Sequence, residues 1–322
     1  MPLTVVMYHY VRRLAESRYP EIKGLERELF IEQLRYLKRF YTPVSGSDVI
    51  EALKGSTALP SNAVLLTFDD GYLDHFTTVF PLLLREKMSG IFFPPASCVL
   101  DGKLLDVNKI HYTLASVPDK SKLVAAIDSA VLELQTEYDL DTPVTYKARY
   151  AIASRFDTAE VIYIKRMLQV GLPLHVREMI ADRLFAQFVS IDQRAFAREV
   201  YMDLDQIRCM VHSGMMVGSH GFNHVWLDQL GPQEQEKEID GSLAFLQQVG
   251  VPTQDWIMCY PYGAWSQSLV SLLRARGCAM GFTTEVSLAN LDACDPLLLP
   301  RLDTNDLPKS ASATPTEWTL RQ

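Results

Sequence analysis

An apolar run, Val64-Leu65-Leu66-Thr67-Phe68, stops abruptly at Asp69-Asp70-Gly71-Tyr72. A run of this length and composition reads as a strand buried on both faces, so the sheet that holds it must be covered on each side. The acids then lie at the strand's end, and in an open α/β sheet that edge is where ligands collect. Side chains alternate along an extended chain, so the two carboxylates face different ways: one can bind a metal while the other faces a reactant. The plainer reading is an Asp-Asp-Gly turn that closes a strand.

Further strands are expected at 3–8, 90–93, 215–218, 256–259, 279–283 and 297–303. Between them lie helical stripes. Leu29, Phe30, Leu34, Leu37 and Phe40 form one, and a shorter helix runs from Ser47-Asp48 to Leu53. A third helix is expected over 74–87. Gly231-Pro232 opens a long one whose first turns carry acids that suit the helix dipole. Strand, helix and strand in succession imply an α/β fold with a parallel sheet. From 101 to 205 helical periodicities continue with almost no strand signal, and Asp157 with Glu160 reads as a capping box. The chain therefore divides into a first part of the main fold at 1–100, a helical insertion at 101–205, a second part at 206–304 and a polar, loosely attached tail at 305–322. The insertion either adds core or forms a lid that shapes the substrate pocket; insertions at sheet edges favour the lid.

With 322 residues, 48% of them hydrophobic, the chain can bury a sizeable core. A net charge of −8 and the lack of a Lys/Arg cluster interleaved with aromatics argue against nucleic acid as a partner. No run approaches the ~20 apolar residues that a bilayer span needs, which leaves only peripheral contact with a membrane open. Cys98, Cys209, Cys259, Cys278 and Cys294 form no CxxC pair and fit reduced thiols. No secretory leader is read at the N-terminus, so the expected compartment is the cytoplasm.

Histidines gather at other strand ends. His9, in Tyr8-His9-Tyr10-Val11-Arg12, closes the first strand; Ser219-His220-Gly221-Phe222-Asn223-His224 follows the strand at 215–218. The spacing of His220 and His224 lets both imidazoles converge on one ion. With a carboxylate from Asp69-Asp70 they make a nitrogen/oxygen site with open positions, best suited to Zn²⁺ and tolerant of Co²⁺ or Ni²⁺. Such an ion lowers the pKa of a bound water to about 7 and polarises an acyl oxygen, and whichever of the two Asp residues does not bind it can take the water's proton. In Tyr260-Pro261-Tyr262-Gly263 the proline has no N–H, so the backbone of Tyr262 is the natural donor to a tetrahedral oxyanion. No histidine follows His224, which leaves His9 as the candidate general acid among strand-end histidines. A two-histidine, one-carboxylate iron oxygenase fits poorly, because its carboxylate lies close in sequence to the first histidine and Asp70 does not.

Together these stretches resemble the NodB-homology polysaccharide deacetylases, the fourth carbohydrate esterase family. Thr67-Phe68-Asp69-Asp70-Gly71 is similar to the family's first motif, Ser219 to His224 to its second and Tyr260 to Gly263 to its third. The resemblance implies a distorted (β/α) barrel of about seven strands, here with a helical insertion. It also implies Asp69 as base, with Asp70, His220 and His224 as metal ligands. It covers 1–99 and about 209–303, and says nothing of the insertion. The arginine that commonly opens the third motif is Cys259 here, and the late Leu-His motif with the usual general acid is absent. Permuted members, such as poly-N-acetylglucosamine deacetylases, place that histidine near the start of the domain, an arrangement similar to Tyr8-His9. Arg301, in Leu299-Pro300-Arg301, either orients the base or makes a structural ion pair. The activity implied is metal-dependent removal of an acetyl or formyl group from an amino sugar linked to a nucleotide, lipid or polymer. The setting implied is cell-surface polysaccharide or lipopolysaccharide O-antigen assembly. The alternative is a catalytically inactive carbohydrate-binding protein of the same fold.

Overall fold

The computed structural model describes residues 1–154 and 157–320; two positions of the expected insertion and the last two of the expected tail lie outside the described residues. Seven strands carry the main fold: β1 (Pro2–Tyr8), β2 (Ala63–Asp69), β3 (Ile91–Phe93), β4 (Met216–Val217), β5 (Trp256–Cys259), β6 (Cys278–Phe282) and β7 (Leu302–Asp303). β1 pairs with β2 from Thr4↔Val64 to Tyr8↔Phe68, β2 pairs with β3, and β3 with β4. A bridge at Ser219↔Met258 leads from β4 to β5, which pairs with β6. A second bridge, Phe282↔Leu299, leads to the chain before β7, and Val6↔Leu302 returns it to β1. Every one of these pairings is parallel. The sheet therefore closes on itself as an α/β barrel, distorted where single bridges replace full ladders.

Two cores follow from strand alternation. Leu3, Val5, Leu65, Ile91, Phe93, Ile257, Cys259, Met280 and Phe282 pack together as one cluster. Val6, Tyr8, Val64, Leu66, Phe68 and Phe92 belong to a larger one with apolar residues of helices α1 (Arg27–Phe40), α3 (Phe80–Glu86), α4 (Pro232–Gln248) and α5 (Gln267–Ala275). Helix α2 (Gly46–Leu53) starts at a reciprocal capping box between Ser45 and Asp48. On β2, Thr67 and Asp69 share the parity of Leu65, so the strand that fills the barrel also delivers a carboxylate to its mouth. Gly218 is required where β4 passes β5: a Cβ there would lie 2.4 Å from Phe93 and 2.7 Å from the Ile257 carbonyl.

The structure differs from the sequence reading in several details: the strand expected at 297–303 is confined to Leu302–Asp303, and the helical part comprises 14–23 with 104–196 rather than 101–205. The helix expected over 74–87 opens with a π-turn, His75–Val79, before α3. The apolar stripe there does not register so local a widening. The helix Ala159–Arg166 is capped by Thr158, whose hydroxyl accepts from the Val161 N–H, while Asp157 is drawn into ion pairs with Lys23 and Lys165. The tail is anchored, since the hydroxyls of Tyr36 and Tyr41 meet Thr319 Oγ1 at 2.8 and 3.0 Å and the Ala311 N–H donates to Glu32.

The described residues form two compact units. Residues 1–13, 24–103 and 197–322 make up the barrel unit, and 14–23 with 104–196 make up a helical one. Within the helical unit, Ile110, Leu123, Ile127, Tyr163, Ile164, Val176, Ile180 and Leu184 build a core of its own. Among the described residues no helix is long and apolar enough to cross a membrane.

Candidate active site

The C-terminal ends of the barrel strands bring together side chains that are far apart in sequence. Asp70 leaves β2 at φ 72° and Gly71 follows at 66°, which breaks the strand's alternation just past Asp69. His224 at 56° and Tyr262 at 59° also hold left-handed backbone. Such angles are uncommon for residues with side chains, and three of them meeting at one place marks a functional region.

Asp70 Oδ1 lies 3.4 Å from His220 Nε2 and 3.2 Å from His224 Nε2, and all three side chains are buried. Taking one ligand atom from each, the three atoms lie within 4.8 Å of one another. His220 Nδ1 donates to the Cys259 carbonyl at 2.7 Å, and an acceptor there requires the proton on Nδ1, leaving the Nε2 lone pair for the common point. The Tyr72 hydroxyl donates to Asp70 Oδ2 at 2.6 Å, which leaves Oδ1 facing the histidines. Burial would raise the Asp70 carboxyl, but when a proton rather than a cation sits on their Nε2 atoms the His220 and His224 imidazoles donate to it and hold it well below the ordinary carboxylate value. Two imidazole nitrogens and one ionised carboxylate oxygen, pre-aimed in a buried site, fit a divalent cation.

A second trio, Asp69, His220 and Cys259, is equally close. It suits a cation poorly, because Arg301 occupies both oxygens of Asp69 and burial pushes the Cys259 thiol up, keeping it protonated.

Asp69 is held from the far end of the chain. Arg301 Nη1 and Nη2 donate to its Oδ1 and Oδ2, each at 2.8 Å, a bidentate pair in which both residues are buried. The same guanidinium donates from Nη1 to Thr67 Oγ1 at 3.1 Å and from Nε to the Thr283 carbonyl at 3.0 Å. Burial would raise the Asp69 carboxyl, yet the Arg301 charge prevails and holds it at about 2. His9 Nε2 lies 3.9 Å from Asp69 Oδ2, with the His9 side chain 42% exposed. In the Tyr260-Pro261-Tyr262-Gly263 turn the Gly263 and Ala264 N–H groups donate to the carbonyls of Tyr260 and Pro261. The Tyr262 ring meets His224 edge-on at 4.7 Å and stacks on Trp226 at 4.5 Å. All seven sequence-chosen residues thus lie in one unit; polar contacts join Asp69 to Arg301 and His9, and Asp70 to His220 and His224, and the Asp69 and His220 ligand atoms lie within 4.8 Å of each other.

Sequence reasoning did not single out Tyr72 or Glu238. Glu238, buried on α4, accepts the N–H groups of Phe222 and Asn223 at 3.0 and 2.8 Å and the Asn223 side-chain amide at 2.6 Å, so it braces the loop between the two histidines. Its helix carries other acids, and only its burial sets it apart.

The family model for polysaccharide deacetylases matches residues 184–281, the stretch that supplies His220, His224 and Tyr262. Over 69 residues, 21% of this chain, the sequence is 42% identical to the poly-beta-1,6-N-acetyl-D-glucosamine N-deacetylase of Escherichia coli (strain K12). The match spans only 10% of that curated relative's length. The fold is shared almost end to end with the Streptococcus pyogenes deacetylase PplD, at TM-score 0.57 and 16% identity over 97% of this chain and 95% of that one. It is shared likewise with IcaB from Ammonifex degensii, at TM-score 0.55 and 21% identity over 98% and 94%. Motif order, matched stretch and barrel agree: residues 184–281 match the polysaccharide deacetylase family, and the fold as a whole is that of solved deacetylases.

Proposed function

We propose that the protein is a metal-dependent N-deacylase that removes an acetyl, or a formyl, group from an amino sugar of a cell-surface polysaccharide or lipopolysaccharide, linked to a nucleotide, lipid or polymer carrier. The observation that carries this reading is the convergence of Asp70, His220 and His224 on one point with a second, separately ionised carboxylate, Asp69, beside it. Asp70, His220 and His224 would hold the ion, with Zn²⁺ the best match to their donor atoms and Co²⁺ or Ni²⁺ as substitutes. A carboxylate held at about 2 is a weak proton acceptor, so it needs water made more acidic, and that acidity, with polarisation of the acyl oxygen, is what the cation supplies.

This chain's residues do the rest. Asp69 takes a proton from water as the water oxygen bonds to the acyl carbon. The Tyr262 backbone N–H donates to the oxyanion that forms. His9 Nε2 gives a proton to the amine nitrogen as the C–N bond breaks, leaving a carboxylic acid and a free amino sugar. The Arg301 pair keeps Asp69 ionised and aimed while this happens.

Dialysis against a chelator should abolish acetate release from N-acetyl amino sugars, and Zn²⁺ added back should restore it, with metal content following activity. If the zinc-loaded protein binds amino sugars but releases neither acetate nor formate from a broad panel of them, the carbohydrate-binding alternative replaces this reading.

A further inference from the structure

His9 is the most exposed of the polar groups in the cluster and sits at the start of a loop. What fixes it is its backbone. The His9 carbonyl accepts from His75 Nε2 at 2.8 Å. Two residues on, the Val11 N–H donates to Asp74 Oδ2 at 2.7 Å, and Arg12 donates to both oxygens of the same carboxylate, from Nη2 to Oδ1 at 2.6 Å and from Nε to Oδ2 at 3.2 Å. Two adjacent side chains thus clamp the peptide groups on either side of Tyr10. Both Asp74 and His75 are buried, and they lie four and five residues beyond Asp70, at the entry to the π-turn. π-turns are rare and concentrate at functional sites.

His75 carries a sign that packing alone does not explain. Its ring lies among those of Phe68, Tyr72 and Phe92, at 5.6 to 5.8 Å between centroids, and its Nδ1 is buried with no hydrogen-bond partner among the described residues. An orphaned buried nitrogen costs stability that a phenylalanine in the same aromatic cage would not incur. What the imidazole supplies in return is the hydrogen bond to the His9 carbonyl, which requires the proton on Nε2.

We propose that Asp74 and His75 are positioning residues that clamp the backbone of residues 9–12 so that the His9 imidazole stays beside Asp69, within reach of the leaving amine. The segment that supplies the base and a metal ligand then also fixes the acid, so the spacing of acid and base is set within one stretch of chain. This inference rests on the reading of His9 as general acid in the deacylase above.

The test compares two substrates on the zinc-loaded protein. An N-acetyl amino sugar needs its leaving amine protonated; 4-nitrophenyl acetate expels a phenolate that needs no proton. His9→Ala should lower kcat on the amide by ~10²-fold or more and change aryl-ester turnover by no more than about 3-fold, as loss of a general acid requires. Asp74→Asn and His75→Phe should show the same amide-selective loss, roughly 10-fold in kcat with KM nearly unchanged, since misplacement by about 1 Å is costly. His75→Gln, which keeps an N–H donor, should recover part of it. The phenylalanine variant removes the orphaned nitrogen and is expected to fold, so one failed variant does not end the test. Equal losses on both substrates in Asp74→Asn and His75→Phe, or no loss in either, overturn the clamp. If His9→Ala itself lacks amide selectivity, the acid assignment fails and the clamp falls with it.

Discussion

Asp69→Asn is expected to lower deacylation kcat by about 10²–10⁴-fold while leaving zinc bound, because on the proposed roles the variant removes the proton acceptor and none of the three ligands. It should also destabilise the fold by about 3–5 kcal/mol, since the Arg301 guanidinium is left buried without its counter-charge. The two effects are separable. Adding Arg301→Met to Asp69→Asn removes the stranded charge and should restore much of the stability to urea, because a buried ion pair replaced by apolar groups is often near neutral. Activity should stay lost. Asp69→Asn turnover within tenfold of wild type would show that Asp69 is not the acceptor.

Arg301→Met alone gives the complementary result, and its pH dependence has a definite sign. In the wild type, Asp69 at about 2 lies below its unfolded value of 3.8, so the pair adds stability above pH ~4 that is lost as pH falls toward 2. Without Arg301 the burial that opposes ionisation meets only the smaller pull of His220 and His9, and the folded carboxyl is expected to rise above its unfolded value. The variant should therefore be least stable, relative to wild type, at neutral pH, with the difference shrinking as pH falls. The acid limb of its activity profile should move to higher pH. Thermal unfolding and kcat/KM measured from pH 4 to 9 would show both.

The sequence carried the barrel where a strand's character and its stopping point coincide. The run Val64 to Phe68 ending at Asp69-Asp70-Gly71 is legible because burial on both faces demands apolar residues and the acids cannot continue them. The same holds for Met258 and Cys259 before the Tyr260 turn. Six of the seven chosen site residues lie at such breaks. What sequence does not carry is the partner of a buried polar group. The Asp74–Arg12 pair spans 62 residues, and the Asp69–Arg301 pair spans 232. Nothing in the local pattern around any of these residues tells a buried carboxylate from a solvated one. Glu238 is hidden the same way, among acids that a helix N-terminal half would carry for its dipole alone. The π-turn at His75 is invisible for a different reason: an apolar stripe fixes which face of a helix is buried and is blind to one extra residue per turn.

The proposed metal centre should depend on residues that would never touch the ion. Asp70 presents Oδ1 to both histidines because Oδ2 is held by Tyr72, and the loop from His220 to His224 keeps its shape because Glu238 takes two of its backbone N–H groups. Tyr72→Phe frees the carboxylate to rotate, and Glu238→Ala leaves two buried or half-buried donors unpaired in the loop that carries both imidazoles. Each is expected to weaken zinc affinity by about 10–100-fold, the usual cost of losing an outer hydrogen bond to a ligand, as read by competition with a chromogenic chelator. The two should differ in one respect. With zinc saturating, Tyr72→Phe should recover most of its kcat, because the ligand itself is intact. Glu238→Ala should not recover fully, because His224, at a left-handed φ of 56°, needs the loop to hold it there. Unchanged zinc affinity in both variants would mean that the three ligands hold their positions unaided.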